Sequence, residues 1–234
     1  MRGTTLVRLL DLYRHECRLS SNPAHNAQAR DAQVNHIQRT QEWLWDDFAW
    51  PFLRVERYIE VQNGQRYYDL PEDLHIERLT KVELLYETIY TPLCAGIDGA
   101  HYTAYDSDKG ETQWPPQRWR ISESEQFELW PIPSSNYDPD TSEGRIKLTG
   151  IKKLSSLVND SDRADLDDRL IILFCAAEVL ASRGEKDASF KLDQAKQRYA
   201  TLRGQQQPRR KFAMFGTEQQ DRVRRVPLAV YNKT

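Results

Sequence analysis

Apolar residues change their spacing twice along this chain, and that change limits the folds open to it. Between Thr5 and Leu19, Leu6, Leu9, Leu10, Tyr13 and Cys17 recur at three- and four-residue steps, the spacing of one helix face. Across residues 54–61 the step drops to two, with Val55, Arg57, Ile59 and Val61 alternating with Glu56, Tyr58 and Glu60, as a half-buried strand requires. From Leu166 onward the helical step returns. Helices, then strands, then helices in separate blocks describe an α+β fold rather than an alternating parallel one.

A second helix is expected from Ser21 or Asn22, either of which can cap it, through Pro23 in its first turn to just before Pro51. That is roughly 28 residues and about 42 Å. Its apolar row, Val34, Ile37, Leu44 and Phe48 with Gln41 counted in, is narrow, like the seam of a helix-to-helix contact, and points to a neighbouring copy as its partner. Trp43, Trp45, Phe48, Trp50 and Phe52 then crowd the passage from helix to strand. They read as a hydrophobic joint; a base-stacking platform is disfavoured because Asp46 and Asp47 sit among them and would repel phosphate.

In "RVERYIEVQNGQRYYDLPEDL", Asn63-Gly64 suits a type I′ turn between two strands, and Pro71 removes the next backbone donor. A hairpin is therefore expected at 54–70. Further strands are expected in "IERLTKVELLY", "RWRISE", "QFELWPIP" and "GRIKLTGI", punctuated by Pro92, Pro115, Pro116, Pro131 and Pro133. They make a small antiparallel sheet or sandwich whose longest loop is "YDSDKGETQWPP". The acidic "NDSDRADLDD" then leads into a helix bearing Leu166, Leu170, Leu173, Phe174, Ala177 and Leu180, with its acids set to cap the N-terminus and Gly184 as its stop. Glu185 to about Arg203 forms a second helix on the row Ala188, Leu192, Ala195, Tyr199 and Leu202, ended by Gly204, so the two make an antiparallel helical hairpin.

Residues 204–234 have no helical period. They carry Arg209, Arg210, Lys211, Arg222, Arg224, Arg225 and Lys233 against Glu218 and Asp221. A purely solvating terminus would not keep Phe212, Met214, Phe215, Val226, Pro227, Leu228, Val230 and Tyr231 as well. An arm that orders on a partner, by strand addition or pocket filling, accounts for both its charge and its aromatics.

The chain is 234 residues long and 39% hydrophobic, with a net charge of -2. Its mean hydropathy of -0.76 is polar for that length and suggests an extended or multi-subunit shape. Cys17, Cys94 and Cys175 are odd in number and widely spaced, which fits a reducing cytoplasm and neither a disulfide framework nor a zinc site; Cys175 reads as a small buried residue. No stretch reaches the about 18 apolar residues of a membrane span, and the first twenty residues lack a signal-peptide core.

His15, His25, His36, His75 and His101 show no metal-ligand spacing; His25 and His36 share a helix face but stand about 16 Å apart along it. Nucleophile-elbow, phosphate-loop and dinucleotide signatures are missing, and no cofactor is implied. Glu87 and Glu111 illustrate a carboxylate pair that glycosidic chemistry would need, but nothing in their spacing selects them.

The order of elements resembles the head-to-tail adaptor, or connector, proteins of tailed double-stranded-DNA bacteriophages. The resemblance runs from about residue 5 to 203. It rests on two N-terminal helices, the aromatic joint leading into "PFLRVERYIEVQNGQRYYDLPEDL", the strand "FELWPIP", the acidic link, and the closing hairpin "AAEVLASRGEKDASFKLDQAKQRYATL" with a glycine between its helices. The insertion from Leu93 to Pro116 is longer than that family's pattern. The resemblance implies a virion neck protein, assembled in the host cytoplasm: a homo-oligomeric ring, usually dodecameric, under the portal protein. Genomic DNA would pass through it without tight binding, and a downstream tail or nozzle protein would attach to it.

On this reading the N-terminal (1–52) and C-terminal (151–203) helix pairs form a helical bundle with a small antiparallel β-sheet region (53–150) inserted between them. Residues 204–234 are an extended arm whose Arg209, Arg210, Lys211, Phe212, Phe215, Arg222, Arg224, Arg225 and Tyr231 grip the portal. Val34, Ile37, Gln41 and Leu44 are the ring contact. Two other classes stay open at this point: a nucleic-acid-binding module using the same basic tail, and a cell-wall lytic enzyme, for which no acid or base is singled out.

Overall fold

In the computed structural model, residues 2–20 and 29–206 are described. The leucines spaced for a helix form one: α1 (Leu6–Glu16) buries Leu6, Leu9, Leu10 and Tyr13. It closes with Leu19 N–H donating to Arg14 O (2.8 Å) and Arg18 N–H to His15 O (3.2 Å), Arg18 standing at φ 55°. That double closure around a left-handed residue is a Schellman motif.

α2 (Arg30–Asp47) stops earlier than expected, at Asp47, and its expected start at Ser21 to Pro23 lies outside the described residues. The orphan carbonyls of its last turn are met by side chains from the joint. Trp50 Nε1 donates to Leu44 O (2.9 Å), and Arg78 donates to Trp45 O (2.7 Å) and Asp46 O (2.9 Å). Trp45 and Trp50 are buried, Arg78 lies over the Trp45 ring at 3.8 Å, and Arg2 lies over Phe52 at 3.7 Å. The aromatic run is packing between helices and sheet, except at Trp43.

The expected hairpin does not form. β1 (Arg54–Glu60) pairs antiparallel with β8 (Arg145–Lys152), and β2 (Tyr67–Tyr68) pairs with β7 (Phe127–Trp130) in a different sheet. At the corner between them Gln65 N–H donates to Gln62 O (3.2 Å), and of the two central residues only Gly64 has positive φ, whereas a type I′ turn needs both. Tyr68 decides the path. Its ring is buried, and its hydroxyl accepts the Gln62 N–H (3.2 Å) and donates to Gln65 O (3.1 Å), tying the corner down while Val61 and Tyr68 go between the sheets. Alternation showed which face of β1 is covered but not which strand lies beside it.

The first sheet runs β1-β8-β3-β4, with β3 spanning Leu74–Tyr86 and β4 Ile89–Pro92; the second runs β2-β7-β6-β5, with β5 at Cys94–Ala95 and β6 at Arg118–Ile121. All pairs are antiparallel except β5 with β6, which is parallel and corrects the all-antiparallel expectation. The connection between them holds a short helix, α3 (Gly99–Ala104), just before the expected loop at 105–116. The two sheets enclose one core of Val61, Tyr68, Leu84, Phe127, Leu129, Ile146 and Leu148, among others.

α4 (Asp168–Ser182) begins as the acidic run foretells, with Asp167 Oδ1 accepting the Leu170 N–H at 3.0 Å. It ends at Gly184, φ 71°, in a second Schellman closure: Glu185 N–H to Leu180 O and Gly184 N–H to Ala181 O, both 3.0 Å. α5 (Asp187–Gln206) continues through Gly204, which was expected to end it. Glycine stops a helix by turning left-handed, and Gly204 keeps a negative φ. α4 packs on α1, α2 and α5, and the helices share a core with Trp50, Leu53, Ile151 and Leu157. Among the described residues the fold is mixed α+β, with five α-helices and two small sheets.

Candidate functional site

Four residues read from the sequence as a contact between copies prove to face inward. Val34 is 7% exposed, and Ile37, Gln41 and Leu44 are fully buried in the chain's own helical core. A narrow row looked like a seam because Gln41 interrupts it. In the fold, Gln41 is buried because its Oε1 accepts the Asp165 N–H (3.1 Å) of the acidic link, while Gln38 Oε1 accepts that of Leu157 (3.3 Å). Any neighbouring copy would meet α2 on another face. The arm residues Arg209, Arg210, Lys211, Phe212, Phe215, Arg222, Arg224, Arg225 and Tyr231 lie outside the described residues.

That other face of α2 borders a groove of about 670 Å³. Phe174, Ala177 and Ala181 of α4 form its floor; Trp43 of α2 stands on one side, Ala188 and Leu192 of α5 on the other. Trp43 is 51% exposed and meets Phe174 edge to face, ring centroids 5.2 Å apart. The floor residues step at three and four along α4, and alanine at two of the three positions keeps the groove open. Exposed apolar surface of this kind marks an interaction site more often than scattered single residues do.

A polar cluster closes one end of the groove. Arg39 pairs with Glu178, Glu178 Oε2 lies 3.1 Å from His36 Nε2, and His36 Nδ1 lies 3.1 Å from the Tyr13 hydroxyl. Burial raises the Glu178 pKa, but the bonds from His36 and Arg39 outweigh it and hold the carboxyl below the ordinary glutamate value. Under this cluster the Cys175 thiol, bonded to Thr40 Oγ1 at 3.3 Å, is pushed up to about 12 by burial, so it stays a neutral core group.

A second cluster sits in the small sheet. Glu128 on β7 is fully buried; its Oε1 accepts from Arg66 Nε (2.7 Å) and the Tyr102 hydroxyl (2.8 Å), and its Oε2 from Arg120 Nε (2.5 Å). Arg66 also reaches Asp108 at 2.6 Å. Tyr102 belongs to α3, so these bonds fasten the insertion onto the sheet, together with Trp130 Nε1 donating to Tyr105 O (3.0 Å). The sequence drew attention to neither Trp43 with Phe174 nor Glu128 with its arginines. The local signal was only that Phe174 belongs to the apolar row of its helix and Trp43 to the aromatic run.

Of the carboxylates weighed earlier, Glu87 occupies the β3–β4 turn at φ 57°, and Glu111 accepts the Asp106 N–H at 2.8 Å. Among the described residues no cluster of histidine, cysteine and acidic side chains is placed to hold a metal ion, and no helix is long and apolar enough to cross a membrane.

The sequence signature of the family described as SU10 adaptor protein matches residues 5–229, taking in most of the basic C-terminal segment as well as the body. No curated protein sequence matches the chain. With nearly its whole length matched, the chain belongs to the SU10 adaptor protein family, in keeping with the phage head-to-tail adaptors that its order of elements resembles.

Proposed function

We propose that this protein is a structural component of the virion neck: a ring of identical subunits docked beneath the portal, through which genomic DNA passes and on which a tail or nozzle protein assembles. The family match across residues 5–229 carries this reading. The electrostatics agree with it. Once the basic C-terminal segment is set aside the remaining body is net acidic, and each phosphate neutralised by Lys or Arg would add counterion-release affinity that a conduit must avoid. The basic, aromatic residues between Arg209 and Tyr231 are assigned to the portal.

Removal of residues 207–234 tests the reading. The truncated body should fold and fail to join portal-bearing capsids, seen by co-sedimentation and by electron microscopy of the particles. Undiminished recruitment would end the arm's role. The same basic residues support a nucleic-acid-binding alternative, which requires a duplex DNA gel shift at low salt that fades as salt rises.

A further inference from the structure

Resting on the ring reading just proposed, we infer that the Trp43–Phe174 groove receives the outer face of α5 from an adjacent copy, with Phe190 as the inserted side chain. Phe190 is 61% exposed, the most exposed Phe, Trp or Tyr side chain among the described residues. At 100° per residue it lies about 160° around α5 from both Ala188 and Leu192, which line the groove. Knob and groove therefore occupy different faces of one subunit. A contact joining two different faces is head-to-tail, and such contacts build rings when the rotation closes.

Size and charge agree with this occupant. Groove floor residues Phe174 and Ala181 are seven positions apart, about 10.5 Å along α4, and the charged residues that flank Phe190, Lys186 in the turn just before α5 and Asp193 within it, are also seven positions apart. A helix can lie in such a groove by its i, i+3 and i+4 side chains. Lys186 and Asp193 are exposed and form no ion pair among the described residues. The groove mouth offers one charge of each sign in Arg39 and Glu178, 65% and 58% exposed. A second copy thus supplies an aromatic for the apolar floor and opposite charges for the rim.

Two exposed positions make the test. Phe190→Asp removes the knob and leaves the groove; Ala181→Asp blocks the groove and leaves the knob. Circular dichroism should show both folded as wild type. In sedimentation velocity over a concentration series, wild type should associate, and each variant should need at least about thirtyfold more protein to do so, the loss expected when an aromatic anchor leaves a contact. An equimolar mixture of the two should form a one-to-one complex and stop there, because only one intact knob meets one intact groove. Wild type that stays monomeric throughout, variants that associate as wild type does, or a mixture that forms no complex would each overturn the inference. Particles carrying Phe190→Asp separate this from failure of the adaptor reading: a normal ring in their necks refutes the groove alone, whereas absence of the wild-type protein from purified particles refutes the adaptor reading.

Discussion

Glu128 is fully buried between two guanidinium groups, and removing one partner of such a group leaves the others without compensation. Glu128→Ala should lower the unfolding free energy by about 3–5 kcal/mol, measured by urea denaturation. Burial pushes the Glu128 carboxyl upward, but Arg120, Arg66 and Tyr102 outweigh it and hold it below the ordinary value of 4.5. A carboxylate lowered in the folded state stabilises fully above its unfolded pKa and loses that contribution as pH falls through the folded one. Wild type should therefore weaken below about pH 4.5, and Glu128→Gln should show a shallower acid limb; equal slopes would remove Glu128 from that role. At Gly150 the constraint is space rather than charge. A Cβ there would stand 2.9 Å from Leu74 Cδ1 and 3.0 Å from Arg78 O, where β3 shifts register against β8. Gly150→Ala should cost about 1–3 kcal/mol, read as a drop in thermal midpoint.

At the level of elements, α2 carries two faces of opposite use. Ile37 is fully buried, so Ile37→Ala should destabilise the subunit by about 2–5 kcal/mol. Trp43 is half exposed over the groove, and Trp43→Ala should shift subunit stability far less, by about 1 kcal/mol or under, while weakening association of copies. Denaturation together with sedimentation distinguishes these; a large stability loss at Trp43 would place it in the core instead. The helical period of α2 was legible, but the partner of its row was not. A residue's angular position follows from 3.6 residues per turn, whereas what covers it depends on where α1 and α4 come to rest. The corner at Gln62–Tyr68 teaches the same. Asn63-Gly64 correctly marked a turn, yet Tyr68 carries the chain into another sheet. Tyr68→Phe should cost about 1–3 kcal/mol by leaving the corner's backbone groups without the hydroxyl.

For the whole molecule, two cores divide the work: the helices gather on α4, and the sheets close on Phe127, Leu129, Ile146 and Leu148. Trp45, Trp50 and Arg78 join the helical end of this arrangement to the strands. Because both cores, among the described residues, draw their side chains from Leu6 to Leu202, truncation after Gln206 should leave the urea midpoint unchanged within error. A clear fall would mean that the C-terminal segment packs on the body. What the chain's residues settled alone is local: that helices precede and follow strands, that the acidic run caps α4, and that Gly184 ends it. These depend on periodicity and on backbone groups within one turn of the residue concerned. Sheet membership, the docking of the insertion through Glu128, and the groove beside Trp43 were settled only by the tertiary structure. Each joins residues distant in sequence, and neither spacing nor composition records which distant surfaces meet.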